Sequence, residues 1–550
     1  MNRKLLAASI AALAAGNVHA AADFNFVIAG ATAPTKALGD VISTNVCQAN
    51  TQIVVASAAV NAAWAIECDV VTTAGSARVG FFKSDGGSSQ GVAKLDNKTS
   101  EGQLSDMDVL TGTDGCVAQS TWADALANQC ATASEVTRPS DVGISDVDPR
   151  IFVGPLADLG VAANIGTAAG EDPANLRNFD NNNDLQVSNL GSLMFGIVVT
   201  EPFYAAMQAS QFEFGTNCHP DTYLAGVATE TSWSAAVNAA FDAAPESASV
   251  ECMPSLARAE VAAMLSGDIA STTQIASGNY TYDGTTYSDL YNYAYGRPWY
   301  GAREMNLCLR NQGSGTHAVT MQYFLRANCG AVDTQPVRHR QCDSDAAGLG
   351  DYGRGDSTRA SRDCADVVGN EGSSDLSKCL TAKSDANRWA IGYQSLEKNA
   401  NLQDNGGGYR FVKIDGVAPT LENFLLGDYK EFGNVTMQTR GVDTWTAANG
   451  IDGTNSAVAD ALFADIISNF SNDASALGTL NTDAIFQHGF GESGWASQSA
   501  AAFIAADVNK LVAGHVAKPV NPLVYKKLNG VQGLCGTPET NFGGVDSLKP

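Results

Sequence analysis

The amino-acid sequence predicts an α/β fold, on three observations. Strand-like and helix-like segments alternate through most of the chain, as in sheets flanked by helices. Turns rich in Gly, Ser and Thr join these segments. Hydrophobic residues make up 45% and charged residues 17% of the 550 residues, a composition that can bury a large core. This length corresponds to about two to four domains.

The strand and helix signals recur in the same order. Phe24–Ile28 and Ala77–Phe82 are apolar runs that predict strands, and each precedes a small-residue turn and a helical pattern. Glu304–Leu309 and Thr316–Ala327 repeat this arrangement. Two polar stretches, about 93–140 and about 330–387, interrupt the alternation, and we expect both to be loop-rich insertions.

The first twenty residues predict a cleaved secretory signal peptide. Arg3 and Lys4 precede the apolar run Leu5–Ala15, and the run ends in a small-residue cleavage pattern after Ala20. No other stretch is long enough to cross a bilayer. The cleavage site has no Cys, so a lipid anchor is not expected there. A periplasmic or secreted location is therefore expected.

The twelve cysteines fit an oxidising compartment. Their number is even, and the sequence contains no C-x-x-C that would indicate a redox motif or a zinc knuckle. The sequence does not fix the pairing. Short-range pairing gives Cys47–Cys68, Cys116–Cys130 and Cys218–Cys252.

The balance of charge excludes some partners. There are 33 Lys and Arg against 58 Asp and Glu, a formal net charge of −25. Phosphate backbones and anionic lipids are bound by clustered Lys and Arg, so neither nucleic acid nor an anionic membrane is expected as a partner.

Three turns share a design suited to anion binding. In each, small residues follow a strand and a Ser or Thr opens a helix; they are Gly30–Pro34, Gly86–Gly91 and Arg310–Thr316. A helix N-terminus has unpaired N–H groups and a partial positive charge, so it attracts anions. Thr32 suits an N-cap, and Arg310 adds a planar fork of donors. A fourth segment, Asp141–Asp146, predicts a short strand that ends in a carboxylate.

These four segments, in this order, resemble the periplasmic phosphate-binding proteins that feed ABC importers. The family's opening pattern is G-A-x-A-T-F-P, and the chain reads I-A-G-A-T-A-P at Ile28–Pro34. The other family patterns are G-S-S-G-G, D-x-G-x-S-D and R-x-D-G-S-G-T. The chain reads G-S-S-Q-G at Gly87–Gly91, D-V-G-I-S-D at Asp141–Asp146 and R-N-Q-G-S-G-T at Arg310–Thr316. Gly191–Thr200 and Ala390–Tyr393 resemble the family's crossing strands. The resemblance covers about residues 24–430, without the two insertions. Ala33 replaces the family's aromatic residue and Gln312 its acidic residue.

The resemblance implies a two-lobed periplasmic binding protein fold of type II, with mixed sheets flanked by helices and two crossing hinge strands. Lobe I would comprise residues 21–197 and 391–550, including a C-terminal extension, and lobe II residues 198–390. Inorganic phosphate would bind between the lobes. The implied ligands are Thr32, Ala33, Ser88, Asp146, Arg310, Ser314, Gly315 and Thr316.

Asp146 would select the anion. A carboxylate that faces a buried oxyanion repels it unless a proton lies between them. Monohydrogen phosphate carries such a proton, whereas sulfate does not. We therefore expect phosphate to bind and sulfate to be rejected.

The expected role is thus binding without catalysis, by a monomer, with permease subunits as further partners and without a cofactor or metal. Three alternatives stay open at this point: an exported oxyanion binder that serves no importer, a structural protein that has lost the ligand, and a phosphate-ester hydrolase. The sequence disfavours the hydrolase because its histidines lack metal-ligand spacing and no nucleophile has a paired base.

Overall fold

The computed structural model describes residues 22–471, with internal gaps, and three short strands beyond them. The longer gaps are 58–62, 97–105, 111–116, 131–134, 148–184, 276–279, 326–365, 399–406 and 441–444. The predicted signal peptide and Cys116 lie outside the described residues.

Strands supply most of the framework. They are β1 (Phe24–Gly30), β2 (Ile53–Ala56), β3 (Trp64–Thr72), β4 (Gly75–Lys83), β5 (Asp106–Leu110), β6 (Glu135–Pro139), β7 (Val142–Ser145), β8 (Leu185–Thr200), β9 (Ser255–Leu256), β10 (Tyr280–Tyr282), β11 (Thr285–Tyr287), β12 (Asn306–Arg310), β13 (Asp366–Asn370), β14 (Ala390–Ser395), β15 (Tyr409–Phe411), β16 (Lys413–Ile414), β17 (Phe432–Arg440), β18 (Trp495–Ala496), β19 (Val520–Tyr525) and β20 (Pro538–Phe542).

Helices lie between and against these strands. They are α1 (Thr35–Val41), α2 (Gln90–Asp96), α3 (Trp122–Ala127), α4 (Glu201–Gln211), α5 (Pro220–Tyr223), α6 (Ala235–Ala243), α7 (Arg258–Ser266), α8 (Leu290–Ala294), α9 (Gly315–Leu325), α10 (Ser373–Asp385) and α11 (Gly453–Ser471). Short 3₁₀ or π turns occur at Ile42–Val46, Pro245–Ser247, Thr272–Gln274 and Ala447–Asn449. No helix among the described residues is long and apolar enough to cross a bilayer.

One mixed sheet of twelve strands organises the described part of the chain. Its strands follow the order β13-β12-β14-β8-β17-β7-β1-β4-β3-β2, and β15 and β18 also pair with β8. β1 is parallel to β4 and β7, and β12 is parallel to β13 and β14. Helix α2 packs on β1 and β7, α10 packs on β12 and β14, and α11 packs on β8. The predicted α/β class, a mixed sheet flanked by helices, is confirmed.

A single strand joins the two halves of this sheet. The first ten residues of β8 pair with β17, and its last six pair with β14 and β15. Its sequence from Leu193 to Val199 is a continuous apolar run in which every residue is buried. Such a run is typical of a strand covered on both faces. The predicted crossing strand at Gly191–Thr200 is therefore part of a longer central strand, and the predicted lobe boundaries stay predictions.

The expected loop-rich character of the two polar stretches is wrong in part. The first contains β5, α3 and β6. The second contains β13 and α10, which belong to the main sheet and its helical cover. Leu376, Cys379 and Leu380 form the buried face of α10, so this Ser-rich segment has enough apolar spacing to pack as a helix.

Disulfides connect neighbouring elements. Two predicted pairs, Cys47–Cys68 and Cys218–Cys252, are confirmed. Cys130 is disulfide-bonded, while its predicted partner is not described. A further bond, Cys308–Cys379, links β12 to α10 across 71 residues of sequence, and short-range pairing did not predict it.

Candidate functional site

The first half of the sheet brings three loops to one edge. β1, β4 and β7 are parallel neighbours, so the loops that follow them emerge together. Their close spacing requires glycine at the end of β1: Gly30 has φ 109°, and a Cβ there would lie 2.1 Å from the Ile144 carbonyl oxygen. The loops that carry Thr32, Ser88 and Asp146 therefore leave the same edge of the sheet.

The second half of the sheet contributes two more loops. β12 ends at Arg310, and α9 begins at Gly315 with the Ser314 hydroxyl accepting a hydrogen bond from the His317 N–H (3.3 Å). Ser314 therefore caps this helix, which leaves its own O–H free to donate elsewhere. The parallel neighbour β13 leads to α10, which begins at Ser373.

The loops from the two halves meet directly. The Ser89 N–H donates to the Gly313 carbonyl oxygen at 2.9 Å. A Cβ on Gly315 would lie 2.4 Å from the Ser88 Oγ and 2.7 Å from the Asp146 Cβ. Glycine at this position lets the start of α9 approach the carboxylate closely.

Asp146 forms the acceptor end of the site. Its backbone N–H donates to the Ser88 Oγ (3.1 Å), and the Thr316 hydroxyl donates to its Oδ2 (3.3 Å). The other carboxylate oxygen, Oδ1, is buried and has no hydrogen-bond partner among the described residues. A buried acceptor without a donor is costly, so this oxygen is suited to a ligand that brings a proton.

Arg310 forms the donor end. Its Nη1 donates to the Ser373 Oγ at 2.7 Å, and its Nη2 donates to the Thr32 Oγ1 at 3.4 Å. These two hydroxyl oxygens lie 3.4 Å apart. One guanidinium and two hydroxyls are thus gathered in a region where each side chain is 5% exposed or less.

Two cations moderate the charge of Asp146. Burial raises the pKa of Asp146 to about 6, and Arg310 and Lys83 oppose this increase. Lys83 is fully buried, and its ammonium donates to the backbone oxygens of Gly30 (2.7 Å) and Ser84 (2.6 Å). It therefore holds the ends of β1 and β4 together and adds positive charge beside the site.

His317 adds no charge at neutral pH. Its side chain is buried, and burial together with the nearby Arg310 lowers its pKa to about 4. The imidazole is neutral at pH 7, so the positive charge near the site comes from Arg310 and Lys83.

Comparison with known proteins gives distant structural matches. No family model matches the sequence, and no curated protein matches it. A protein of Clostridium perfringens solved with bound phosphate matches at 11% identity and a TM-score of 0.32, over 79% of this chain and 97% of that one. PstS from Borrelia burgdorferi (11%, 0.26, 81% and 97%) and an ABC-type phosphate transport receptor from Vibrio cholerae (11%, 0.25, 60% and 77%) also match. These values are too low to transfer any property to this chain.

The structure brings the predicted site residues together. Contacts connect Thr32, Ser88, Asp146, Arg310, Ser314, Gly315 and Thr316 to the neighbouring loops, and Ala33 is buried next to Thr32. Their roles as phosphate ligands, including the backbone donor of Ala33, stay predictions. Within the described residues, no group of His, Cys, Asp and Glu could hold a metal ion.

One local prediction is wrong. α1 begins at Thr35 with Pro34 as its N-cap residue, so Thr32 does not cap this helix. The Thr32 hydroxyl lies beside Arg310 instead, because the turn after Gly30 places it in the site.

Sequence reasoning missed two residues at this site. Lys83 ends an apolar strand, and a charged residue in that position was a usable signal. Ser373 follows Gly372, whose N–H donates a capping hydrogen bond to the Asp375 Oδ2 (3.1 Å), and the Gly-x-x-Asp spacing marked the helix start.

Proposed function

We propose that the protein binds monohydrogen phosphate between the loops of the two sheet halves. The observation that carries this proposal is the buried Asp146 Oδ1, an acceptor without a hydrogen-bond donor among the described residues, in a site otherwise rich in donors. A tetrahedral anion with one protonated oxygen would satisfy both ends. Its P–O–H would donate to Asp146, and its remaining oxygens would accept from Arg310 and the hydroxyls.

The charges support a dianion with a proton. Arg310 and Lys83 supply two positive charges, and ionised Asp146 supplies one negative charge. Helix α9 adds N–H groups and the positive end of its dipole at Gly315. A dianion would therefore bind in a neutralised environment, in spite of the net charge of −25, since distant surface charges are screened within about 8 Å at physiological ionic strength.

The same arrangement would reject sulfate. Sulfate at neutral pH has no proton to place between its oxygen and the Asp146 carboxylate. Two buried acceptors facing each other without a proton cost several kcal/mol, about 3–5 kcal/mol for an uncompensated buried charge. Arsenate, which carries a proton as phosphate does, should still bind.

The proposed physiological role is that of the substrate-binding component of an ABC phosphate importer. The predicted signal peptide and the sequence resemblance support it. Permease subunits would then be protein partners, and the two sheet halves would act as the two lobes that close on the anion.

The test is calorimetric titration of the mature protein with phosphate and then sulfate at pH 7.5, after partial unfolding to remove carried-over ligand. Wild type should bind phosphate and show no heat with sulfate. Asp146→Asn should lose phosphate selectivity and bind sulfate, because an amide can donate. Asp268→Asn should behave as wild type and serves as the control. Asp268 is exposed, and among the described residues its carboxylate accepts a hydrogen bond from the Ser266 hydroxyl. No binding of either anion by wild type would refute the proposed function.

A further inference from the structure

Ser373 opens a helix at the donor end of the candidate site. Helix α10 has thirteen residues and follows β13, the parallel neighbour of the strand that carries Arg310. The resemblance to phosphate-binding proteins assigns no residue to this segment. Ser373 is 2% exposed, so its hydroxyl is shielded from bulk water.

The hydroxyl lies between two predicted ligands of the anion. Its Oγ accepts from Arg310 Nη1 at 2.7 Å and lies 3.4 Å from the Thr32 Oγ1. Thr32 in turn accepts from Arg310 Nη2 at 3.4 Å. Side chains from the loop after β1, from the end of β12 and from the start of α10 therefore meet at this place.

The two hydroxyls of Thr32 and Ser373 hold one more hydrogen than the bond between them can use. Each hydroxyl has one hydrogen, and each oxygen already accepts from the guanidinium. The bond between the two hydroxyls can use only one of the two hydrogens, so one remains for a further acceptor. In a buried region, an oxygen of an anion is an acceptor that this group can bind strongly.

Several contacts fix Ser373 in place. The Gln394 Nε2 donates to the Ser373 carbonyl oxygen at 2.9 Å, and Asp375 caps the start of the helix. The Cys308–Cys379 disulfide ties the same helix to the strand that ends at Arg310. The hydroxyl is therefore preorganised and loses little entropy when it binds a ligand.

We infer that Ser373 is a further ligand of the bound oxyanion, a donor to an oxygen that carries no proton. The inference rests on the proposed function. Asp146 would accept a hydrogen bond from the protonated oxygen at one end of the anion. Ser373 would donate, together with Arg310 and Thr32, to an oxygen at the other end. Ser373 should thus contribute to affinity for any tetrahedral oxyanion that enters the site, without distinguishing phosphate from sulfate.

The experiment compares Ser373→Ala, Ser373→Thr and Ser374→Ala by titration with inorganic phosphate. Loss of a hydrogen bond to a charged group should weaken phosphate binding by about 10-fold to 100-fold in Ser373→Ala. Ser373→Thr keeps the hydroxyl and should restore most of the affinity. Ser374→Ala is the matched control: its hydroxyl accepts from Lys398 Nζ (3.2 Å), and phosphate affinity should not change. Thermal unfolding should show that all three variants fold as wild type does.

Two further arms separate a ligand from a residue that only orients Arg310. In an Arg310→Lys background, Ser373→Ala should still weaken binding by a similar factor; disappearance of the factor would overturn the direct contact. In an Asp146→Asn background, Ser373→Ala should weaken sulfate binding as much as phosphate binding. Unchanged phosphate affinity in Ser373→Ala, with wild type binding phosphate, overturns this inference alone, whereas a wild type that binds no phosphate overturns the proposed function as well.

Discussion

The substitution Asp146→Asn should stabilise the phosphate-free protein at neutral pH while it abolishes phosphate selectivity. Burial raises the pKa of Asp146 from 3.8 to about 6. A carboxyl whose pKa is raised on folding lowers the free energy of unfolding wherever it must ionise in the folded state, and this effect is complete above about pH 6. The effect disappears below pH 3.8, because the carboxyl is then protonated in both the folded and the unfolded chain. The interval between 3.8 and about 6 corresponds to about 3 kcal/mol.

The assay is urea unfolding followed by tryptophan fluorescence in phosphate-free buffer at pH 3.5 and pH 7.5. The stability of Asp146→Asn relative to wild type should rise by about 3 kcal/mol between these pH values. A difference between the two proteins that does not change with pH would refute the reasoning, because it would mean that Asp146 is not ionised in a buried environment.

Asp141 provides a matched control with the opposite sign. Burial also raises its pKa to about 6. Its carboxylate oxygens, however, accept from the Val27 N–H (3.0 Å), the Asn449 Nδ2 (2.7 Å) and the Thr446 N–H (3.2 Å). Asp141→Asn replaces an acceptor oxygen with a donor that faces other donors. This variant should be less stable than wild type at pH 7.5, although the same chemical group has been changed.

Three further predictions concern the same region. Wild type should bind sulfate at pH 5 and reject it at pH 8, because Asp146 is protonated below about pH 6 and can then donate; titration calorimetry at the two pH values tests this, and equal binding at both would contradict it. Gly315→Ala should weaken phosphate binding about 10-fold to 100-fold because its Cβ would clash with the Ser88 Oγ at 2.4 Å, whereas Gly226→Ala, which has open space around it, should bind as wild type. Replacing both Cys308 and Cys379 by Ser should lower the free energy of unfolding by about 4 kcal/mol, because the disulfide closes a loop over a separation of 71 residues. Urea unfolding of wild type and variant, with and without reductant, tests this, and equal stabilities without reductant would contradict it.

The sequence predicts local elements at this site well. β1, β4 and β12 are apolar runs bounded by Gly-rich turns, and the structure places all three within two residues of the expected starts. The reason is that buried parallel strands need continuous apolar residues, and the turns after them need small ones. Local chemistry therefore identified the loops that form the site.

What the sequence could not supply depends on contacts between distant segments. From the sequence, the Thr32 hydroxyl could either cap a helix or contact a distant side chain. The position of β12 decides between them, because it places Arg310 beside this hydroxyl. Ser373 belongs to a polar, Ser-rich stretch whose helix is stabilised by packing on the sheet and by Cys308–Cys379, and neither is visible in local composition. The length of β8 likewise follows from its pairing with both halves of the sheet.

The Cys308–Cys379 bond also determines what a break in the chain would do. It joins segments that flank residues 326–365, so hydrolysis of a peptide bond in that interval would produce two polypeptides that stay covalently attached. The β12–β13 ladder would hold the same ends in register. Such a nicked protein would run as a single band without reductant and as two bands with it, while Arg310 and Ser373 stayed side by side.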